Sequence, residues 1–291
     1  MSEKSQGDAV RVEQDGPVWH LVLCRPFELN TITANLRDQL SEALDAAERS
    51  SEVKVVLLRA EGRAFCAGFG LDWSTVTLAG SDTPGRAWDS VSDVRMISRF
   101  GDTFAKLHSI SKPTVAAVQG WCVGGGTDMV LHADLILAGE SARFGYPPAR
   151  LWGIPEAPWA WVARLGLQRA KRYLFTGDEM SGAEAEAAGL VLECVPDGDL
   201  AQRASDLVQR IALLPLNQLQ MLKWSLNDVA SQQFRPDSNR FLSCIFDGVA
   251  RHTQEGLDFV ARSEEVGWRL AVRERDRPFG DYGERPGGPR P

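Results

Sequence analysis

Apolar residues fall into two kinds of pattern along this chain. Residues 18–25 (VWHLVLCR) are rich in β-branched and aromatic side chains. Residues 53–60 (VKVVLLRA) form a near-continuous apolar run, the mark of a strand buried on both faces. Between them, residues 33–49 carry Leu36, Leu40, Ala43, Leu44 and Ala47 on one face at helical spacing, with Thr33 as N-cap. Strand, helix and buried strand predict a βαβ-like start. The cycle repeats with a helix over residues 100–110, a strand in PTVAAVQG, a short helix over 127–132 and a strand in DLILAGE. After VPDGD at 195–199, a loop signal, the character turns helical in AQRASDLVQRIALL, NQLQMLKWSLNDVA and LDFVARSEEVGWRLAVRER. The expected organisation is an α/β catalytic core over residues 1–200 and a helical region over 201–291, ending in a frayed Pro/Gly-rich tail. Residues 75–93 have weak periodicity and Gly-Pro punctuation, and read as a long surface loop.

Composition narrows the function classes. The 291 residues are 44% hydrophobic and 24% charged, as expected of a globular chain with ample material for a core. The net charge of −7 argues against a nucleic-acid partner read through a broad basic surface. The longest uncharged stretch, residues 113–127, is too short and too glycine-rich to span a bilayer, so no membrane span is expected. The first sixteen residues lack an apolar signal region. Cys24, Cys66, Cys122, Cys194 and Cys244 are far apart, which suits reduced thiols in a cytoplasmic protein without disulfides or zinc.

Several catalytic signatures are absent. GFGLDW and GWCVGGG do not make a dinucleotide fingerprint, and no P-loop lysine follows a glycine run. Arg143 breaks the nearest approach to a nucleophile elbow around Ser141. His20, His108, His132 and His252 are isolated, so neither a metal site nor a Ser-His pair is indicated. Two glycine turns remain, RAFCAGFGLD after VKVVLLRA and GWCVGGGTD after PTVAAV. A strand that ends in glycines and enters a helix leaves backbone N–H groups free along the helix dipole. Side by side, two such turns can aim one N–H each at a single carbonyl oxygen and stabilise the oxyanion it becomes. Glycine also permits tight turns and close packing with no catalytic purpose.

These turns resemble the AFxAGxDL and KPxIAAVxGxxxGGGxELxxxCDxxxA segments of the enoyl-CoA hydratase/isomerase (crotonase) family. RPFELNTIT, ARFGYPP and GDEMSGAEAEAAGLVLECVP resemble further family blocks in the same order, over roughly residues 10–200. The resemblance implies a spiral of ββα units binding an acyl-CoA thioester, and a C-terminal helical region that packs in homotrimers or dimers of trimers. Coenzyme A would be part of the substrate, with no other cofactor. By motif position the oxyanion hole maps onto Phe69 and Gly125. Substrate contacts map onto Arg25 and Leu29 at the CoA entrance, Ala67 and Gly68 in the first turn, and Tyr146 and Pro148. Basic residues near the C-terminus, such as Arg273 or Arg277, would meet CoA phosphates, with nothing in the sequence to select one.

Both glutamates of the usual hydratase are missing. Asp128 stands where the first follows GGGx, and Pro148, which cannot transfer a proton, stands at the second. Glu156, eight residues later in GIPEAPW, sits where a helix should begin. Dienoyl-CoA isomerases of the family carry acids at the positions of Asp128 and Glu156, so this pair resembles an alternative catalytic site. Either acid also fits the first turn of a helix, complementing its dipole. Tyr146 offers a phenolic proton or simple packing. Trp73, Trp88, Trp152, Trp159 and Trp161 suit a bulky or flat acyl group, or plain core. The expected reaction is hydration or a double-bond shift in an enoyl-CoA. The alternatives are hydrolysis or dehalogenation with Glu156 as nucleophile, or a CoA-binding relative that has lost catalysis.

Overall fold

The computed structural model describes residues 7–70 and 90–280. Trp73, Trp88, most of the stretch read as a surface loop and the Pro/Gly-rich tail lie outside the described residues. Residues 90–93 of that stretch are helical, opening a helix that begins ten residues before the expected start.

Strands alternate between two sheets. The larger contains β1 (Val10–Asp15), β2 (Val18–Leu23), β3 (Val55–Ala60), β5 (Thr114–Val118), β7 (Leu135–Gly139) and β10 (Glu193–Val195), adjacent in that order. The smaller orders β4 (Ala64–Cys66), β6 (Trp121–Val123), β8 (Arg143–Gly145) and β9 (Met180–Ser181). Strands β3, β5 and β7 each feed one sheet and then, after a tight connection, pass a short strand to the other. Repetition of that step generates the expected spiral of ββα units. Strand β1 pairs antiparallel with β2, whereas β2, β3, β5, β7 and β10 run parallel.

The predicted first helix is α1 (Ala34–Arg49), and Thr33 Oγ1 accepts from Leu36 N at 3.2 Å as its cap. All five expected apolar positions are buried. Each fully buried leucine there contributes roughly 1.5–3 kcal/mol relative to exposure. Helix α2 (Ser90–Ser109) crosses beside it, and α3 (Gly125–Leu131) is buried along its whole length. Next come α4 (Pro158–Thr176) and α5 (Gly182–Ala188), the latter closed by a capping box between Ser181 and Glu184.

The loop at 195–199 leads directly into α6 (Leu200–Ala212). Its Leu200, Ala204, Val208 and Ala212 pack against Val55, Leu57, Val115, Ala117 and Leu137, covering one face of the larger sheet. Helices α7 (Leu216–Phe234) and α8 (Pro236–Arg251) follow. The last predicted helical run is split at Gly267, at φ 82°, into α9 (Gln254–Val266) and α10 (Trp268–Asp276). No described helix is long and apolar enough to cross a membrane.

Candidate active site

The two glycine turns meet. A Cβ on Gly68, which sits at φ +84°, would lie 2.9 Å from Val123 O and 3.6 Å from Gly125 N. A Cβ on Gly126 would lie 2.4 Å from Cys66 O, and one on Gly125 would strike the Phe69 ring at 2.6 Å. Glycine at these positions therefore serves the contact between turns as well as the turns themselves. Gly125 opens α3, so its N–H has no carbonyl one helical turn back to bond. The first turn is held from behind, where Ala67 N donates to Leu29 O at 3.0 Å and Ile32 N to Gly68 O at 2.9 Å.

A cavity of about 250 Å³ opens at this junction. Ala67, Gly68, Phe69, Gly125, Asp128, Tyr146, Pro148 and Glu156 line it, which brings together eight of the ten residues expected from the sequence. Arg25 and Leu29 lie outside the lining. Arg25 N donates to Asn30 Oδ1 at 2.8 Å, and its Nη1 to Thr33 Oγ1 at 3.3 Å. Leu29 thus holds the turn through Ala67 N, and Arg25 holds the adjoining segment at Asn30 and Thr33. Of the tryptophans in the described residues that were expected near an acyl pocket, Trp152 lines the cavity, while Trp159 and Trp161 are buried in the core. Phe69 meets Phe100 edge-on at 5.1 Å, giving the cavity an aromatic wall. Arg275 lines the cavity, and the two expected phosphate contacts, Arg273 and Arg277, do not.

The acids gather at the buried end. Asp128, in the first turn of α3, is 1% exposed, and Oδ1 accepts from Glu156 N at 3.1 Å and Ala157 N at 3.4 Å. This ties the acid of the GGGTD turn to the segment that carries the second acid, 28 residues later. Desolvation dominates its protonation and pushes Asp128 up to about 7, against the lowering by these N–H donors and by Tyr146. Glu156 is 5% exposed, and its Oε2 has no hydrogen-bond partner. Burial, with the neighbouring Asp128 and Asp247 charges adding to it, holds Glu156 well above the usual carboxylate range. Tyr146 Oη donates to Ile154 O at 3.0 Å, and burial raises its phenol far above its ordinary value.

Sequence reasoning missed Asp247 and Arg251, both on α8 and both in the cavity wall. Asp247 Oδ1 accepts from Ile154 N at 3.4 Å, and its Oδ2 takes Arg251 Nε at 2.9 Å. Their i, i+4 spacing reads as a routine helix ion pair, and no local signal distinguishes it from a surface one. Val272, Arg275 and Asp276 of α10 complete the wall, so the C-terminal helices help to build the cavity.

The sequence profile described as Enoyl-CoA hydratase/isomerase matches residues 13–259. A crystal structure of an enoyl-CoA hydratase from Mycobacterium smegmatis superposes with a TM-score of 0.87 at 42% identity, covering 95% of this chain and 96% of that one. The 1,2-epoxyphenylacetyl-CoA isomerase of Escherichia coli K12 is 30% identical over 72% of this chain and 78% of its own. The mitochondrial Delta(3,5)-Delta(2,4)-dienoyl-CoA isomerase of Dictyostelium discoideum is 30% identical over 62% of this chain and 63% of its own.

Proposed function

Because the chain belongs to the enoyl-CoA hydratase/isomerase family, we propose that it acts on unsaturated acyl-CoA thioesters by shifting a double bond through an enolate. It is an acyl-CoA enzyme of the hydratase/isomerase type. The finer choice of a shift over hydration rests on one observation. Two buried carboxyls, Asp128 and Glu156, converge on the cavity, while Pro148 occupies the place of the second hydratase acid. A shift needs a base and an acid at two carbons and no water, which suits a pair so thoroughly desolvated.

In this reading the Phe69 and Gly125 N–H groups donate to the thioester oxygen. Asp128 takes a proton from C2, and the electron pair moves onto that oxygen as the enolate forms. Glu156 then gives its proton to C4 as the enolate collapses, and the double bond comes to rest between C2 and C3. Proton exchange with solvent resets both acids. The assignment of roles follows from the hydrogen bonds. Asp128 accepts two N–H groups that favour its ionised form, whereas Oε2 of Glu156 accepts none, so Asp128 ionises first. The aromatic wall of Phe69, Phe100 and Trp152 suits a flat or cyclic acyl group.

The decisive experiment offers 3-enoyl-CoA, dienoyl-CoA and crotonyl-CoA in parallel. Conversion of the first two at rates well above crotonyl-CoA hydration is expected, and the reverse order would refute the shift. Release of free CoA would point instead to Glu156 as a nucleophile. The pH dependence of kcat/KM is expected to rise on the acid side with a midpoint near 7, as Asp128 becomes ionised, and to fall again as Glu156 loses its proton. A profile flat from pH 5 to 8 would be incompatible with this base.

Self-association belongs to the same proposal. Trp224, Leu226 and Val229 of α7 and Phe241 and Phe246 of α8 are each at least half exposed, which suits burial against another copy of the chain. Sedimentation equilibrium is expected to give the mass of three chains or a multiple of it. A monomer at micromolar concentration would exclude that arrangement.

A further inference from the structure

Helix α2 carries a glycine in its interior, at residue 101, where alanine would favour the helix more. The space beside it is occupied. A Cβ on Gly101 would lie 2.4 Å from Glu156 Oε2, 3.1 Å from its Cδ and 3.4 Å from Arg240 Cδ. The missing methyl group thus leaves a notch in α2, with the Glu156 carboxyl seated in it and the Arg240 side chain of α8 also against it. The neighbouring residues belong to different cavities. Phe100 lines the substrate cavity with Glu156, and Asp102 lines a second cavity of about 480 Å³ with Arg240. The Arg240 guanidinium is ion-paired to Asp102 and lies 3.6 Å from Asp237.

We infer that Gly101 and Arg240 are positioning residues for Glu156: the notch fixes where its carboxyl sits, and the cationic side chain packed beside the notch sets how readily it releases its proton. This rests on the proton-transfer role given to Glu156 above. Several groups face that carboxyl. Asp128, Asp247 and Asp102 disfavour its ionisation, and Tyr146 and Cys244 are electrostatic neighbours of it. Arg240 is the cation among its principal electrostatic neighbours and pulls the other way. Without Arg240, the surrounding acids would raise Glu156 further and it would release its proton less readily.

Four variants test this. Gly101→Ala leaves the helix intact and obliges only the end of a flexible side chain to move. It is expected to lower kcat at least tenfold with KM within about twofold, and the thermal midpoint unchanged or raised. Arg240→Met is expected to move the alkaline limb of the pH–rate profile upward by half a pH unit or more, with Arg240→Lys restoring most of the shift. A merely structural role would lower stability without moving that limb. Full kcat in Gly101→Ala, or an unmoved alkaline limb in Arg240→Met, overturns the inference. Should Gly101→Ala fail to fold, the Arg240 profiles decide. Glu156→Gln separates the two levels of the reading. If that variant keeps full turnover, the proton-transfer role of Glu156 fails. If it is inactive while Gly101→Ala is fully active, only the positioning role fails.

Discussion

Asp128→Asn is expected to lower the rate of the double-bond shift by about 10²–10⁴-fold, the usual worth of a positioned general base. The same variant is expected to be more stable than the parent at pH 8. The two effects share one cause. Asparagine keeps an oxygen that can accept from Glu156 N and Ala157 N, so the tie between α3 and the start of α4 survives. It removes a carboxyl that burial has raised from 3.8 to about 7. In the parent, that group stays protonated in the folded protein after the unfolded chain has released its proton. Its contribution to stability is therefore fully present below about pH 4, is lost as pH rises towards 7 and is absent at pH 8. The variant should gain on the order of 2 kcal/mol over the parent at pH 8 and little at pH 4, read from urea midpoints at both values. Loss of activity without this pH-dependent gain would mean that Asp128 is not held in the desolvated setting described.

Glu156→Gln is expected to separate the two halves of the reaction. With Asp128 intact, the variant should still exchange the C2 hydrogens of a 3-enoyl-CoA with deuterium from solvent, because enolate formation does not require Glu156. Delivery of a proton to C4 should fall by about 10²-fold or more, since glutamine fills the same space without an acidic proton. The expected signature is deuterated starting material accumulating faster than product, followed by mass spectrometry or NMR. Asp128→Asn should show neither exchange nor product. If Glu156→Gln makes product at the parental rate, C4 receives its proton from elsewhere. Tyr146 would be the next group to test, although its hydroxyl is committed to Ile154 O at 3.0 Å.

Parts of the fold were legible because their information is local. The buried face of α1 follows from the spacing of Leu36, Leu40 and Leu44, and β3 from a near-continuous apolar run. Strand β1 escaped notice because it is an edge strand with mostly polar, exposed positions. The smaller sheet escaped because its strands are only two or three residues long and follow almost at once on the preceding elements. Helix α8 falls inside the region expected to be helical but was not singled out, and Asp247 and Arg251 went unnoticed with it.

By itself the sequence determined the alternation of buried strands and helices, the two glycine turns, the acids at 128 and 156 and the proline at 148. Family membership rests on the same local patterns. Which side chains share a cavity was decided only in three dimensions. Asp247 lies 119 residues from Asp128 in the chain and reaches the same cavity because α8 packs across α2. The protonation of the acids was decided there too. A carboxyl carries no record of its burial in its own sequence neighbourhood, and desolvation by surrounding elements is what raises Asp128 to about 7. Gly101 illustrates the division most plainly. In the sequence it is the second residue of an expected helix, and in the folded chain it is the space into which the Glu156 carboxyl fits.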